Sequence, residues 1–231
     1  MAENRRKPEG SAFLVTKDIN ALLFDFDGTL LDTNELIIQT FLSVLDEHFP
    51  GRFERQEVLH FIGPSLEQTF TAIAPERTAE LTEQYRAINK TLHDELVTEY
   101  DGVAETLRLL KNRGLKMAIV STKRGASIKH GLELMGVGNI FDVIVSLDEV
   151  KEPKPDPEPI LLALEQLNAA PGEALMIGDN SHDIEGGQNA GVRTAGVAWS
   201  VKGEEFLAGF NPDYMLQHIS DLLHLTKEEV Q

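Results

Sequence analysis

Apolar and β-branched residues gather into five short runs, each closing on a polar cluster: Ala21 to Phe24, Lys116 to Val120, Phe141 to Val145, Ala174 to Ile177 and Thr194 to Val197. Unbroken apolar runs of this length predict strands covered on both faces. Between the later runs the spacing becomes helical, over Val103 to Lys111, Ala126 to Met135, Pro159 to Leu167 and Ile184 to Asn189. Gly114, Gly136 and Gly191 stand where such helices would stop. Strand alternating with helix predicts an α/β fold built on a doubly wound, parallel, Rossmann-like sheet.

The stretch from Asn34 to Leu96 breaks the alternation. Ile37, Phe41, Val44, Leu45 and His48 fall along one helical face, and no run there reads as a strand. The pattern predicts a helical cap domain at residues 34–97, inserted into a core made of residues 18–33 and 98–231. An insertion leaving directly after the first strand stands above the carboxyl edge of the sheet, where α/β folds bind ligands, and is expected to act as a lid. Asp101 is the expected N-cap of the helix at which the core resumes.

Residues 1–17 read as a flexible tail: Met1 to Gly10 is polar, carries Arg5, Arg6 and Lys7, and is followed by no apolar segment of signal-peptide character. No run approaches the roughly 20 apolar residues that cross a bilayer, so the expected setting is cytoplasmic, with no membrane partner.

Composition narrows the chemistry. Lys and Arg number 21 against 38 Asp and Glu, a net charge of −17 that repels a polyphosphate backbone and argues against nucleic acid as a partner. A small anionic substrate is still compatible with this surface, provided a metal or a few cations reverse the sign locally. The absence of cysteine excludes disulfides, thiolate zinc sites and a thiol nucleophile.

The first run leads into Asp25-Phe26-Asp27-Gly28-Thr29, placing two carboxylates at i and i+2 where the strand gives way to a turn. Either alone could cap that turn. Together, where a strand leaves the core, they call for a cation, because a desolvated carboxylate costs several kcal/mol. A second acidic pair follows the fourth run, in Gly178-Asp179-Asn180-Ser181-His182-Asp183. Oxygen ligands without cysteine indicate a hard ion, and Mg²⁺ suits a site with few direct carboxylates. His182 lies between the acids but reads as a solvated or hydrogen-bonding loop residue. The second run ends at Ser121-Thr122-Lys123, a hydroxyl ahead of a helix start that could hold phosphate or merely cap the helix. After the third run, prolines stiffen Lys151-Glu152-Pro153-Lys154-Pro155-Asp156-Pro157 around a lysine able to balance phosphoryl charge.

In chain order, four strand ends supply Asp-x-Asp-Gly-Thr, a hydroxyl, a lysine and Gly-Asp-x-x-x-Asp. This pattern resembles the haloacid dehalogenase superfamily from about Ile19 onward, with the helical segment similar to that family's type 1 cap. The resemblance implies that Asp25 is the nucleophile and Asp27 the general acid and base. It implies that Ser121 is a phosphate donor, Lys154 the balancing charge, and Asp179 and Asp183 the support of Mg²⁺ together with Asp25 and the backbone carbonyl of Asp27. The Lys-Pro-Asp-Pro context selects Lys154 over the nearby Lys151. Gly28, Thr29, Asn34 and Thr122 complete the expected substrate contacts. Dehalogenases of the superfamily lack the second aspartate, so phosphoryl transfer is favoured here, and a phosphomutase is left as a further possibility.

A narrower resemblance rests on Thr33-Asn34-Glu35-Leu36-Ile37, Phe61-Ile62-Gly63-Pro64-Ser65, Leu96 to Asp101, Gly196 to Trp199 and Pro212 to Leu216. These segments are similar to a bacterial family of inorganic pyrophosphatases. That similarity implies hydrolysis of diphosphate, including diphosphate formed when seryl-phosphorylated HPr is dephosphorylated, with no direct HPr contact. The Phe61 to Ser65 loop and Asn34 are then expected near the distal phosphate, although Phe61 and Ile62 also suit a cap core. The alternatives are a phosphoglycolate phosphatase or broad phosphomonoesterase with the same core and, in another class, a non-enzymatic phosphoacceptor switch.

Overall fold

The computed structural model describes residues 19–226, so the expected tail at 1–17 lies outside the described residues. In chain order the strands are β1 (Ala21–Phe24), β2 (Leu31–Asp32), β3 (Thr98–Glu99), β4 (Lys116–Val120), β5 (Val143–Val145), β6 (Ala174–Gly178), β7 (Arg193–Val197) and β8 (Tyr214–Leu216). Between β2 and β3 lie α1 (Asn34–His48), α2 (Arg55–Val58), α3 (Leu66–Ile73) and α4 (Thr78–Leu96). The remaining helices are α5 (Val103–Asn112), α6 (Gly125–Leu134), α7 (Glu158–Leu167), α8 (Ser181–Asn189), α9 (Glu204–Ala208) and α10 (Leu222–Leu225).

The main sheet has six strands in the order β5-β4-β1-β6-β7-β8, all of its pairings parallel. Burial explains why the strand runs are apolar without interruption. Leu22 and Phe24 join one core cluster with Leu107, Leu110, Ile128 and Leu132, whereas Ala21 and Leu23 join another with Ile160, Ala163 and Leu164. Successive side chains of β1 thus feed opposite faces, and helices cover both. A third cluster, with Phe41, Val44, Leu45, Phe70, Leu81 and Tyr85, belongs to the helical cap.

Several elements differ from the sequence expectation. β5 begins at Val143 rather than Phe141, β7 reaches back to Arg193, and β8 adds an edge strand of three residues that no apolar run announced. Two-residue strands β2 and β3 pair antiparallel and form the neck of the cap. Gly102, not Asp101, is the N-cap of α5. It adopts a φ of +70°, and a Cβ there would lie 2.9 Å from His218 Cε1, so glycine occupies the turn. Among the described residues no helix is long and apolar enough to cross a membrane.

Candidate active site

Register brings the site together. Phe24 at the end of β1 pairs with Ile119 of β4 on one side and Ile177 of β6 on the other. The residues just beyond these central strands therefore emerge side by side at one edge. They are Asp25, Ser121 and Asp179. Phe26 turns back into the core, fully buried, which leaves its neighbours Asp25 and Asp27 on the opposite side. Gly28 holds the turn at a φ of +74°, and a Cβ there would meet Asp179 Oδ2 at 2.4 Å. The turn can thus approach the second acidic loop only with glycine at this position.

Oxygens of Asp25, Asp179 and Asp183 lie within 4.8 Å of one another. Lys154, 3% exposed, reaches up from the loop after β5: its Nζ donates to the Val120 carbonyl at 2.7 Å and to Asp183 Oδ1 at 2.6 Å, and stands 3.1 Å from Asp25 Oδ1. Burial opposes its charge, but Asp183 and Asp25 more than offset that and raise Lys154 above the usual lysine range. Burial pushes Asp25 up to about 6; Lys154 pulls it down, whereas Asp183 and Asp27 add to the rise. Burial also raises Asp179 well above an ordinary carboxylate, reinforced by Asp25 and Asp183. One ammonium is insufficient for three acids.

The same carboxylates show what would complete the balance. Asp179 Oδ2 is buried without a hydrogen bond, and Asp25 Oδ1 has only the Lys154 ammonium 3.1 Å away, although carboxylates are acceptors that require partners. Clustered oxygen donors of this kind fit a hard divalent cation. The Asp183 carboxylate is oriented for a supporting role, taking Lys154 Nζ on one oxygen and the Asn180 backbone N–H on the other at 3.0 Å.

The other expected residues are placed as follows. Asp27 Oδ1 accepts from Thr33 Oγ1 at 2.7 Å and from Lys123 Nζ at 2.6 Å. Ser121 is buried, and its Oγ accepts from the Lys123 N–H at 3.3 Å. Thr29 points its hydroxyl at Asp179 Oδ1 from 3.5 Å. Thr122 lines the cavity and donates to the Gly63 carbonyl at 3.3 Å. Asn34 is set apart at the neck, where its amide donates to Asp32 Oδ1 and to the Tyr100 hydroxyl, each at 3.0 Å. It is absent from the residues lining the cavity. His182 is mostly buried rather than solvated, and its Nδ1 has no partner.

Above the acids opens a cavity of about 590 Å³, roofed by Phe41, Phe61, Ile62 and Tyr85 from the cap. One stripe of α4 at helical spacing, Arg86, Asn89, Lys90 and His93, also faces it. Neither this stripe nor Lys123 was identified from sequence as part of the site; the stripe's signal was spacing, which equally describes a solvated face, and that of Lys123 was its place beside the Ser121 and Thr122 hydroxyls. The cap rests on the core through Ile62, whose carbonyl accepts from Asn180 Nδ2 and Lys202 Nζ, both at 2.8 Å. Burial lowers Lys202 from the usual lysine range.

Comparison with known proteins agrees with this geometry. A family model described as haloacid dehalogenase-like hydrolase matches residues 22–197. A relative from Bacillus velezensis, Pyrophosphatase PpaX, is 54% identical over 213 residues, covering 92% of this chain and 99% of its own. The Bacillus pumilus protein of the same name is 54% identical over 205 residues, covering 89% and 95%. A solved haloacid dehalogenase-like hydrolase from Bacteroides fragilis superposes with a TM-score of 0.83 at 28% identity, covering 88% of this chain and 99% of that one. A Lactobacillus plantarum structure provisionally assigned as a phosphoglycolate phosphatase gives 0.82 at 27%, covering 90% and 99%.

Proposed function

The chain belongs to the haloacid dehalogenase-like hydrolases, and from that membership we propose that this phosphate-group hydrolase is a cytoplasmic inorganic pyrophosphatase acting on diphosphate. The observation that carries the proposal is the likeness to Pyrophosphatase PpaX along nearly the whole chain, cap included. The physics is compatible with it. Diphosphate has no carbon skeleton, so its recognition rests on charge: Lys90 faces the cavity beside Lys123 and Arg86, which are paired with Asp27 and Glu67, and a divalent ion on the acidic cluster would add the rest.

Mg²⁺ held by Asp25, the Asp27 carbonyl and Asp179, with Asp183 behind them, would supply the charge neutralisation that lets one anion approach another. Asp25 attacks phosphorus; its new O–P bond forms as the bridging O–P bond breaks, giving an aspartyl-phosphate and releasing phosphate. Lys154 balances the nucleophile and the phosphoryl oxygens, and the Ser121 hydroxyl and neighbouring N–H groups orient them. Asp27 gives a proton to the departing oxygen, then takes one from the water that cleaves the aspartyl-phosphate. Lys123 and Thr33 fix one Asp27 oxygen, leaving the other for proton exchange.

The diphosphate would include that formed during dephosphorylation of seryl-phosphorylated HPr, without HPr docking on this chain. A second reading, phosphoglycolate phosphatase, is favoured by one observation: a cavity of about 590 Å³ has room beyond two phosphates. Phosphate release from a panel of anions, with and without Mg²⁺, separates the two. Diphosphate is expected to turn over fastest; phosphoglycolate turning over far faster would reverse the assignment.

A further inference from the structure

On the rim of the cavity, away from the acidic cluster, two histidines converge on one carboxylate. His93 and Asp94 come from α4 in the cap, and His130 comes from α6 in the core. Asp94 Oδ1 lies 2.9 Å from His93 Nδ1 and 2.9 Å from His130 Nε2. The imidazole rings are 4.9 Å apart, and one donor atom from each residue falls within a 4.8 Å cluster.

An ordinary surface hydrogen bond accounts poorly for this arrangement. His93 is 5% exposed, yet its Nε2 is buried with no partner, so Asp94 supplies the hydrogen bond that fixes the ring. Nδ1 is the nitrogen that faces Asp94, so it is the atom available to a shared ion. In the neutral state of both rings, each must also keep a proton on the nitrogen facing the same oxygen. A single divalent ion would replace two crowded donors by one centre and balance the Asp94 charge.

We propose that His93, Asp94 and His130 form a second metal site, for an imidazole-preferring divalent ion such as Zn²⁺ or Co²⁺, that ties the cap to the core. Bond lengths of about 2.0–2.2 Å to nitrogen and oxygen place tetrahedral donors roughly 3.3 Å apart. The observed separations, 2.9 Å to Asp94 from each ring and at most 4.8 Å within the set, bracket that spacing. Two imidazoles select against Mg²⁺, which takes oxygen ligands in an octahedron, so the two sites sort their ions by ligand chemistry. Three protein ligands leave a position for water or an anionic oxygen. Because the ligands come from both sides of the cavity mouth, a bound ion opposes cap opening and slows product exit without displacing Mg²⁺.

The test is a Co²⁺ titration of the full-length, chelator-stripped protein in excess Mg²⁺, read by visible ligand-field absorption, with Zn²⁺ calorimetry in parallel. One Co²⁺ per chain is expected, unchanged in Asp179→Asn and weakened about 100-fold or more in His130→Ala. His130 is half-exposed, so this variant leaves the core untouched. Absence of Co²⁺ binding, binding unaffected by His130→Ala, or binding lost in Asp179→Asn would each overturn the proposal. None of these readouts depends on which phosphate compound the enzyme hydrolyses.

Discussion

Lys123 Nζ lies 2.6 Å from Asp27 Oδ1, joining the loop after β4 to the turn after β1. Thr33 Oγ1 reaches the same oxygen from the cap neck at 2.7 Å. The proposed acid-base residue is thus held from two elements far apart in sequence. Neither contact touches the sheet. Both fix the direction in which the Asp27 carboxylate points.

Lys123→Met keeps an unbranched side chain and removes the ammonium, which lies 5.8 Å from the Phe26 ring centroid as well as beside Asp27. Turnover is expected to fall roughly 10- to 100-fold, the usual cost of misplacing a catalytic group by about an ångström. The melting temperature is expected to stay within a few degrees of the wild type. Steady-state phosphate release and thermal denaturation together check this; a turnover equal to wild type would separate Lys123 from Asp27 function.

Asp25→Asn replaces the proposed nucleophile with a near-isosteric amide and is expected to abolish turnover. In chelator-stripped protein it is also expected to be stabilising at neutral pH. The folded Asp25 pKa of about 6 lies above the 3.8 of a free aspartate. A raised acid favours the folded state while protonated, so that stability is present below about pH 4 and is lost as pH rises through about 6. The variant's advantage should approach something on the order of 3 kcal/mol at pH 7 and vanish near pH 4. Urea unfolding at both pH values measures it; a constant offset across that range would contradict the linkage.

How much of this was legible from sequence follows from where each residue stands. Asp25, Ser121 and Asp179 follow buried strands whose apolar runs are unmistakable, so their convergence could be inferred before any register was known. β8 was not legible, because Tyr214–Leu216 is a three-residue edge strand and partly exposed. His130 and the stripe on α4 were invisible for another reason. Polar residues at helical spacing describe a solvated face equally well, and only the packing of cap against core turned them inward. Asn34 was expected to meet substrate, but a hydroxyl 66 residues away, on Tyr100, takes its amide instead. Contacts at such separation leave no mark in local pattern.

Mg²⁺ is expected to stabilise the protein, because the folded state presents three clustered carboxylates that an unfolded chain does not. At 100 times its dissociation constant, a ligand specific to the folded state adds about 2.7 kcal/mol, or roughly 5–10 °C in a domain of this size. Asp179→Asn should lose most of that gain. Ca²⁺ should bind and inhibit, since its larger and looser coordination misplaces the attacking oxygen. Thermal shift with each ion, followed by turnover in mixtures, tests both; activation by Ca²⁺ would contradict the geometry.

Gly63 connects the cap's conformation to turnover. Its φ is +111°, and a Cβ there would lie 2.4 Å from Asn180 Nδ2, the same amide that donates to the Ile62 carbonyl. Gly63→Ala therefore strains the loop and pushes the cap off its core contact, with little effect on the apolar clusters that stabilise each part. A loss of about 10-fold or more in kcat/KM is expected, with a destabilisation of about 1 kcal/mol or more from the strained backbone. Trimming the obstructing side chain should separate crowding from backbone strain. Asn180→Ser also removes the amide's bond to the Ile62 carbonyl and serves as the baseline; if crowding by Asn180 dominates, adding Gly63→Ala to it costs little further activity. If the left-handed backbone alone sets the cost, the pair is no better than Gly63→Ala. Full activity of Gly63→Ala itself would show that cap docking through this loop does not limit the reaction.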